Sequence, residues 1–199
     1  MAENGITKAR ILAAFRKTPA GAELQRKGSF LVLQQQDFYC YVKVQFYDGK
    51  FAVNLEAIRR KLVDGNNGTW QGNSDFSNRL APYWDSDRWW PFSDGPKSIS
   101  DAARVFETMA PQFFERFSTC ERALEGIRAD SIGTYRPEPI LGPITNAKLA
   151  WILADYLLGS SRFSDARIAA TYVIERNLGP DSPLQRDCEE ILRKANAAN

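Results

Sequence analysis

Residues 38–55 read FYCYVKVQFYDGKFAVNL. Phe38, Cys40, Val42, Val44 and Phe46 fall on one side of an extended chain, and Tyr39, Tyr41, Lys43, Gln45 and Tyr47 on the other. Successive side chains of a strand point to opposite faces, so this alternation predicts a strand with one buried and one partly wetted face. Asp48-Gly49 follows, a dipeptide that tolerates positive φ at both centres of a type I′ turn. Phe51, Val53 and Leu55 then alternate with Lys50, Ala52 and Asn54, which closes an antiparallel hairpin.

Before the hairpin, SFLVLQ (29–34) supplies a further strand, and Gln35, Gln36 and Asp37 turn it into residue 38. Consecutive strands with short links form a meander. Ile6 to Lys17 reads as an amphipathic helix with Ile6, Ala9, Ala13 and Phe15 towards the core and Ile11 and Leu12 adding apolar bulk, ended by Thr18-Pro19 because the residue before proline avoids the helical region. After the hairpin, Glu56 to Val63 reads as a helix carrying Arg59-Arg60-Lys61, and residues 64–73 as a turn-rich loop holding Trp70. A fourth strand is expected at Phe76 to Ala81. Ser100 is placed to cap a helix that Pro111 interrupts, and Phe113, Phe114, Phe117, Cys120, Ala123 and Leu124 continue a helical stripe. Four turn formers between Gly126 and Pro143 mark a linker. Three helices follow: Thr145 to Leu158, Ser164 to Leu178, and one opened by Ser182-Pro183 that runs to Lys194. The expected fold class is α+β: an antiparallel three- or four-stranded meander flanked by helices, with a C-terminal helical hairpin plus capping helix. The expected division is an α+β domain over 1–130 and a helical extension over 143–199, docked on the first.

The 199 residues are 44% hydrophobic and 25% charged, with a formal net charge of +2. That supports a real core and is too small a charge to imply nucleic acid by itself. Residues 1–64 nevertheless hold eleven Lys/Arg against six Asp/Glu. The first residues, MAENGITKAR, lack the apolar stretch of a secretion signal, and no apolar run reaches the ~18–20 residues that span a bilayer. The three cysteines, Cys40, Cys120 and Cys188, are far apart and form no C-x-x-C, which fits a reducing cytoplasm. Histidine is absent. Ser-His-Asp catalysis, Cys-His catalysis and His-ligated metals are thereby excluded. No glycine-rich phosphate loop occurs, so neither cofactor nor metal is expected.

Four groups of residues carry chemistry. Tyr83 to Phe92 reads YWDSDRWWPF. Trp84, Trp89 and Trp90 with Tyr83 and Phe92 form either a partner-binding hot spot or a core plug, and burying both adjacent tryptophans is hard. Asp85 and Asp87 between them form a D-x-D that can hold Mg²⁺ with Asp94, divide acid and base work, mimic phosphates, or simply cap a loop. Tyr39, Tyr41, Lys43 and Tyr47 share a strand face that can stack single-stranded bases unless a helix covers it. Arg59-Arg60-Lys61 is a phosphate contact or a solvated helix face. Cys40 is expected to be an inert core thiol.

Read together, the short helix before LQRKGSF, the meander ending FAVNLEAI, the segment RLAPYWDSDRWWPF and the helix APQFFERFST resemble the bacterial domain-of-unknown-function family 4304, over residues about 5–125. The resemblance implies a small cytoplasmic bacterial protein, in some relatives an immunity-type partner of a toxin, and brings no catalytic residues. Residues 149–183 are similar to a single tetratricopeptide helix pair, with Ala154, Phe163, Ala166 and Ile174 at its apolar positions. The expectation is a non-catalytic cytoplasmic binding protein of the immunity or antitoxin kind, whose partner is another protein, a toxin or effector. The partner-binding residues would be Tyr83, Trp84, Asp85, Asp87, Arg88, Trp89 and Trp90. The alternatives are nucleic-acid binding through the aromatic and basic strand face, and a carboxylate-based metal-dependent hydrolase at Asp85 and Asp87.

Overall fold

The computed structural model describes residues 5–65, 74–81, 88–176, 178–179 and 181–198. The chain divides into two compact units, Met1–Ala123 with Pro139–Gly142, and Leu124–Glu138 with Pro143–Asn199.

In the first unit, Thr7 caps α1 (Lys8–Arg16) by accepting from the Arg10 N–H. Ile6, Ile11, Leu12 and Phe15 are buried, whereas Ala9 and Ala13, expected on the core side, face solvent. A period of 3.6 places the Ile11–Leu12–Phe15 stripe inward and turns the two alanines out. The sheet follows in chain order: β1 (Gln25–Lys27), β2 (Phe30–Gln34), β3 (Phe38–Tyr47) and β4 (Lys50–Arg59), each antiparallel to the next. The expected hairpin is present, with Tyr47 opposite Lys50 and positive φ at Asp48 (38°) and Gly49 (69°).

β4 does not stop at Leu55. The chain from Glu56 to Arg59 is strand, opposite Tyr41 to Phe38, and only Arg60–Asp64 is helix (α2). The reason is tertiary. Arg59, 2% exposed, donates from its backbone N–H, Nε and Nη2 to the Asp75 carboxylate, so a charge that reads as helix surface is satisfied inside the sheet. The fourth strand expected at Phe76 to Ala81 is β5 (Phe76–Arg79), paired with Asn54–Ala57. A sixth strand, β6 (Trp90–Pro91), lies against Lys50–Phe51.

α3 (Pro96–Arg116) starts earlier than Ser100, with Pro96 at its first position after Gly95, and runs through Pro111 without ending. Proline there removes one N–H, the one that would donate to the Glu107 carbonyl, and the helix continues on both sides of it. Phe106 of α3 stacks on Phe15 of α1 at 4.7 Å, and Phe117 touches Phe76 and Phe113, each at 4.6 Å. The β2–β3 turn ties this layer to the sheet: the Asp37 carboxylate accepts from the N–H of Cys120, the first residue of α4 (Cys120–Ala123), at 2.8 Å. The Cys40 thiol lies 3.8 Å from the Phe117 carbonyl and is fully buried, as expected of a core thiol. Desolvation pushes it well above the ordinary thiol range.

The opposite sheet face is covered at one end. Val32, Tyr39, Tyr41, Ile58 and Val63 form an apolar cluster with Leu62 of α2 packed on it. The 126–143 stretch is more than a linker, because Pro139–Leu141 forms a 3-10 turn that buries Leu141. The Asn78 amide donates to the Pro139 carbonyl at 3.0 Å. Gly142, with φ 70°, passes so close to Ser77 that a Cβ would sit 2.0 Å from its carbonyl oxygen.

The second unit is helical: α5 (Asn146–Gly159), α6 (Phe163–Glu175) and α7 (Pro183–Ala197). Thr145 caps α5 by accepting from the Lys148 N–H. Ala154, Ala166, Ala169 and Ala170 are fully buried, and such small side chains let neighbouring helices approach closely. Among the described residues, no helix is long and apolar enough to cross a membrane.

Candidate functional site

Aromatic rings are graded from core to solvent at the Asp48-Gly49 end of the sheet. Trp90 is 2% exposed and stacks on fully buried Phe51 at 5.5 Å. Phe92, half-buried, lies between Phe51 at 6.4 Å and Phe46 at 5.3 Å. Phe46 is 40% exposed and Tyr47 is 64% exposed. Trp89 is half-buried and meets the Tyr47 ring at 5.9 Å. Strand alternation accounts for the tryptophan pair: adjacent residues project to opposite faces, so Trp90 enters the core and Trp89 stays on the outer face.

Cations sit on these rings. Lys50 Nζ lies 5.0 Å from the Trp89 ring and 5.7 Å from that of Tyr47, and the Arg79 guanidinium lies 4.8 Å from Trp89. Arg88 lies over Trp90 at 5.5 Å, and Lys8 over Phe46 at 5.8 Å. A cation within ~6 Å of a ring centroid is drawn to the electron-rich face, and more so where water is excluded. Lys8 and Lys50 have no carboxylate within ion-pair distance among the described residues. Among the described residues the patch is amphipathic, with apolar area at its centre and cations set against its rings.

Of the residues singled out in the sequence, Arg88, Trp89 and Trp90 belong here, Trp90 as the patch's buried floor. Tyr83, Trp84, Asp85 and Asp87 lie outside the described residues, as does Trp70. Asp94 ends a short 3-10 turn and accepts from the Ser93 hydroxyl at 3.1 Å. Among the described residues, no group of His, Cys, Asp and Glu is arranged to hold a metal ion.

The tyrosine face is divided by burial. Tyr39 and Tyr41 are 9% and 4% exposed, leaving Tyr47 as the tyrosine of that face open to solvent. The Tyr41 hydroxyl feels the carboxylate of Glu56, whose Oε1 is 3.3 Å from Lys43 Nζ. Burial first, then the Glu56 carboxylate, holds the Tyr41 hydroxyl well above the ordinary phenol range. Within the basic run, Arg59 is committed to Asp75, and Arg60 lies 3.6 Å from the Asp64 carboxylate and over the Tyr39 ring at 5.6 Å.

Sequence reasoning did not single out Lys8, Phe46, Lys50 and Arg79. Lys50 could have been found from its place opposite Tyr47, because the two residues beside a two-residue hairpin loop face each other. Arg79 reaches Trp89 only through the β4–β5 pairing, which no local pattern encodes. Comparison with protein-family models, with curated proteins and with solved structures returns no match for this chain.

Proposed function

We propose that the protein is a non-catalytic protein-binding module that engages an acidic surface of another protein through the Phe46–Tyr47–Lys50–Trp89 patch. The observation that carries this reading is Trp89: a half-exposed indole held between Lys50 at 5.0 Å and Arg79 at 4.8 Å, beside a tyrosine 64% exposed. Trp, Tyr and Arg dominate the energetics of protein interfaces, because rigid rings bury large area at low entropic cost. Cations at the rim select a negatively charged partner and speed its approach. The resemblance to family 4304 favours an immunity or antitoxin role in the cytoplasm, with a toxin or effector as the partner, held by occlusion and not by chemistry. Coprecipitation from the native host tests this: a stoichiometric protein partner is expected, and its absence from repeated captures would argue against the reading.

The pairing of ring faces with cations also favours a second reading, single-stranded nucleic acid stacked on Tyr47 and Trp89. That reading requires affinity to fall linearly with the logarithm of salt concentration. Failure to retard any DNA or RNA oligomer at low salt removes it.

A further inference from the structure

β3 pairs with the whole of β4, so β5 and β6 share the other edge of β4, β5 at Asn54–Ala57 and β6 at Lys50–Phe51. Residues opposite one another in a ladder share a face of the sheet. Arg79 lies opposite Asn54, which lies opposite Lys43, so Arg79 stands on the outer face, as Trp89 does. The Arg79 rung at Asn54 and the Trp90 rung at Phe51 are three residues apart, ~10 Å along β4. The long Arg79 side chain spans that gap and sets its guanidinium 4.8 Å from the Trp89 ring.

The two cations against this ring differ in setting. Lys50 stands at the turn, where it also lies 5.7 Å from the ring of Tyr47, itself 64% exposed. Arg79 is half-buried, and its Nη1 is shut off from water. A guanidinium is planar and weakly hydrated, which suits it to lie against an aromatic face within the protein. The attraction between cation and ring grows as water is excluded. Lys50 therefore belongs to the rim of the patch, and Arg79 to the sheltered side of Trp89.

We infer that Arg79 is a positioning residue for the patch: it holds the Trp89 ring in its outward orientation before binding, and does not itself touch the partner. This rests on the partner-binding reading above and names the residue that readies its anchor. A side chain that is mobile in the free protein loses rotamer freedom when a partner fixes it, and a ring already fixed does not. For one side chain the difference amounts to about three- to tenfold in affinity.

The test incorporates fluorotryptophan and reads the fluorine resonances of the full-length protein. The five tryptophans give five signals, and Trp89→Phe and Trp90→Phe assign the two that decide. Arg79→Met, neutral and of similar length, should move the Trp89 signal towards its position in the unfolded protein and leave that of Trp90 in place. Arg79→Lys keeps a cation and should stay nearer the wild type. A Trp89 signal unmoved in Arg79→Met, or moved equally by both substitutions, overturns the inference. Arg79→Gln stands in for Arg79→Met if circular dichroism shows the latter unfolded, and unfolding of both assigns Arg79 to the sheet alone and overturns it as well.

The second readout is affinity for the protein that coprecipitates. Arg79→Met should weaken it about three- to tenfold, and no further once residue 89 is already alanine, because the effect runs through the ring. The same weakening in the Trp89→Ala background would mean direct contact or wider structural loss, and overturns the positioning role. Trp89→Ala at wild-type affinity would instead sink the patch reading, and the fluorine spectra would still decide whether Arg79 holds the ring.

Discussion

Arg59 and Asp75, sixteen residues apart in sequence, form a two-pronged ion pair inside the sheet, with Nε and Nη2 each 3.1 Å from a carboxylate oxygen. Both side chains are 2% exposed. The pair fixes where β4 ends and where β5 begins. Removing one partner leaves a buried charge alone, so Asp75→Ala should cost about 3–5 kcal/mol in denaturant unfolding. Replacing both, as Arg59→Met with Asp75→Leu, should recover most of that loss. A cost below about 1 kcal/mol for Asp75→Ala would mean that the pair does not organise this end of the sheet.

The adjacent tryptophans should separate cleanly by stability. Trp90→Ala opens a cavity against Phe51 and is expected to cost about 3–5 kcal/mol. Trp89→Ala removes a half-exposed ring and should stay within about 1 kcal/mol of the wild type. Trp90 Nε1 is buried with no acceptor among the described residues. Trp90→Phe should therefore cost much less than Trp90→Ala, because it removes that orphan donor while keeping an aromatic ring. Urea midpoints for the three variants check the order.

Cysteine labelling reports burial. Cys188 is buried, and desolvation with the carboxylates of Asp187 and Asp155 pushes its thiol up to about 12. Cys40 is pushed further in the same direction by desolvation. In the folded protein at pH 8, a thiol reagent should modify half-buried Cys120 and leave the other two until denaturant is added. Burial raises both thiols in the folded protein above their unfolded value. The stability these thiols contribute is complete below the unfolded thiol value of about 8.5 and falls as pH rises from there towards 12. Rapid modification of all three cysteines in the native state would contradict their placement.

The turn gives a backbone measurement. Gly49 has φ 69°, a region where a Cβ is crowded by the neighbouring carbonyl, and nothing lies within 4 Å of where that Cβ would be. Gly49→Ala should thus cost about 1–2 kcal/mol through the backbone alone. An unchanged unfolding midpoint would show that the turn relaxes to another type.

The hairpin was legible because its alternation and its Asp-Gly turn are local. Pro183 at the start of α7 is local as well. The extent of β4 was not. Glu56 and Arg59 look like helix-surface charges until Lys43 of β3 and Asp75, just ahead of β5, arrive to pair with them. Pro111 misled for a related reason, since packing of Phe106, Ala110 and Phe113 holds α3 together across the missing bond. At the site, the sequence announced a dense aromatic segment but not which ring would face out. That depends on β6 pairing with the hairpin, which sets Trp90 on Phe51 and Trp89 on Tyr47.

The affinity of Trp89→Ala for the protein that coprecipitates with the wild type tests the account most directly. Loss of an anchoring tryptophan at an interface should weaken the complex by about 2 kcal/mol or more, roughly thirtyfold, while the unfolding midpoint stays near that of the wild type. Binding by this variant at wild-type strength would contradict the claim that the hairpin-end patch is where the partner is held.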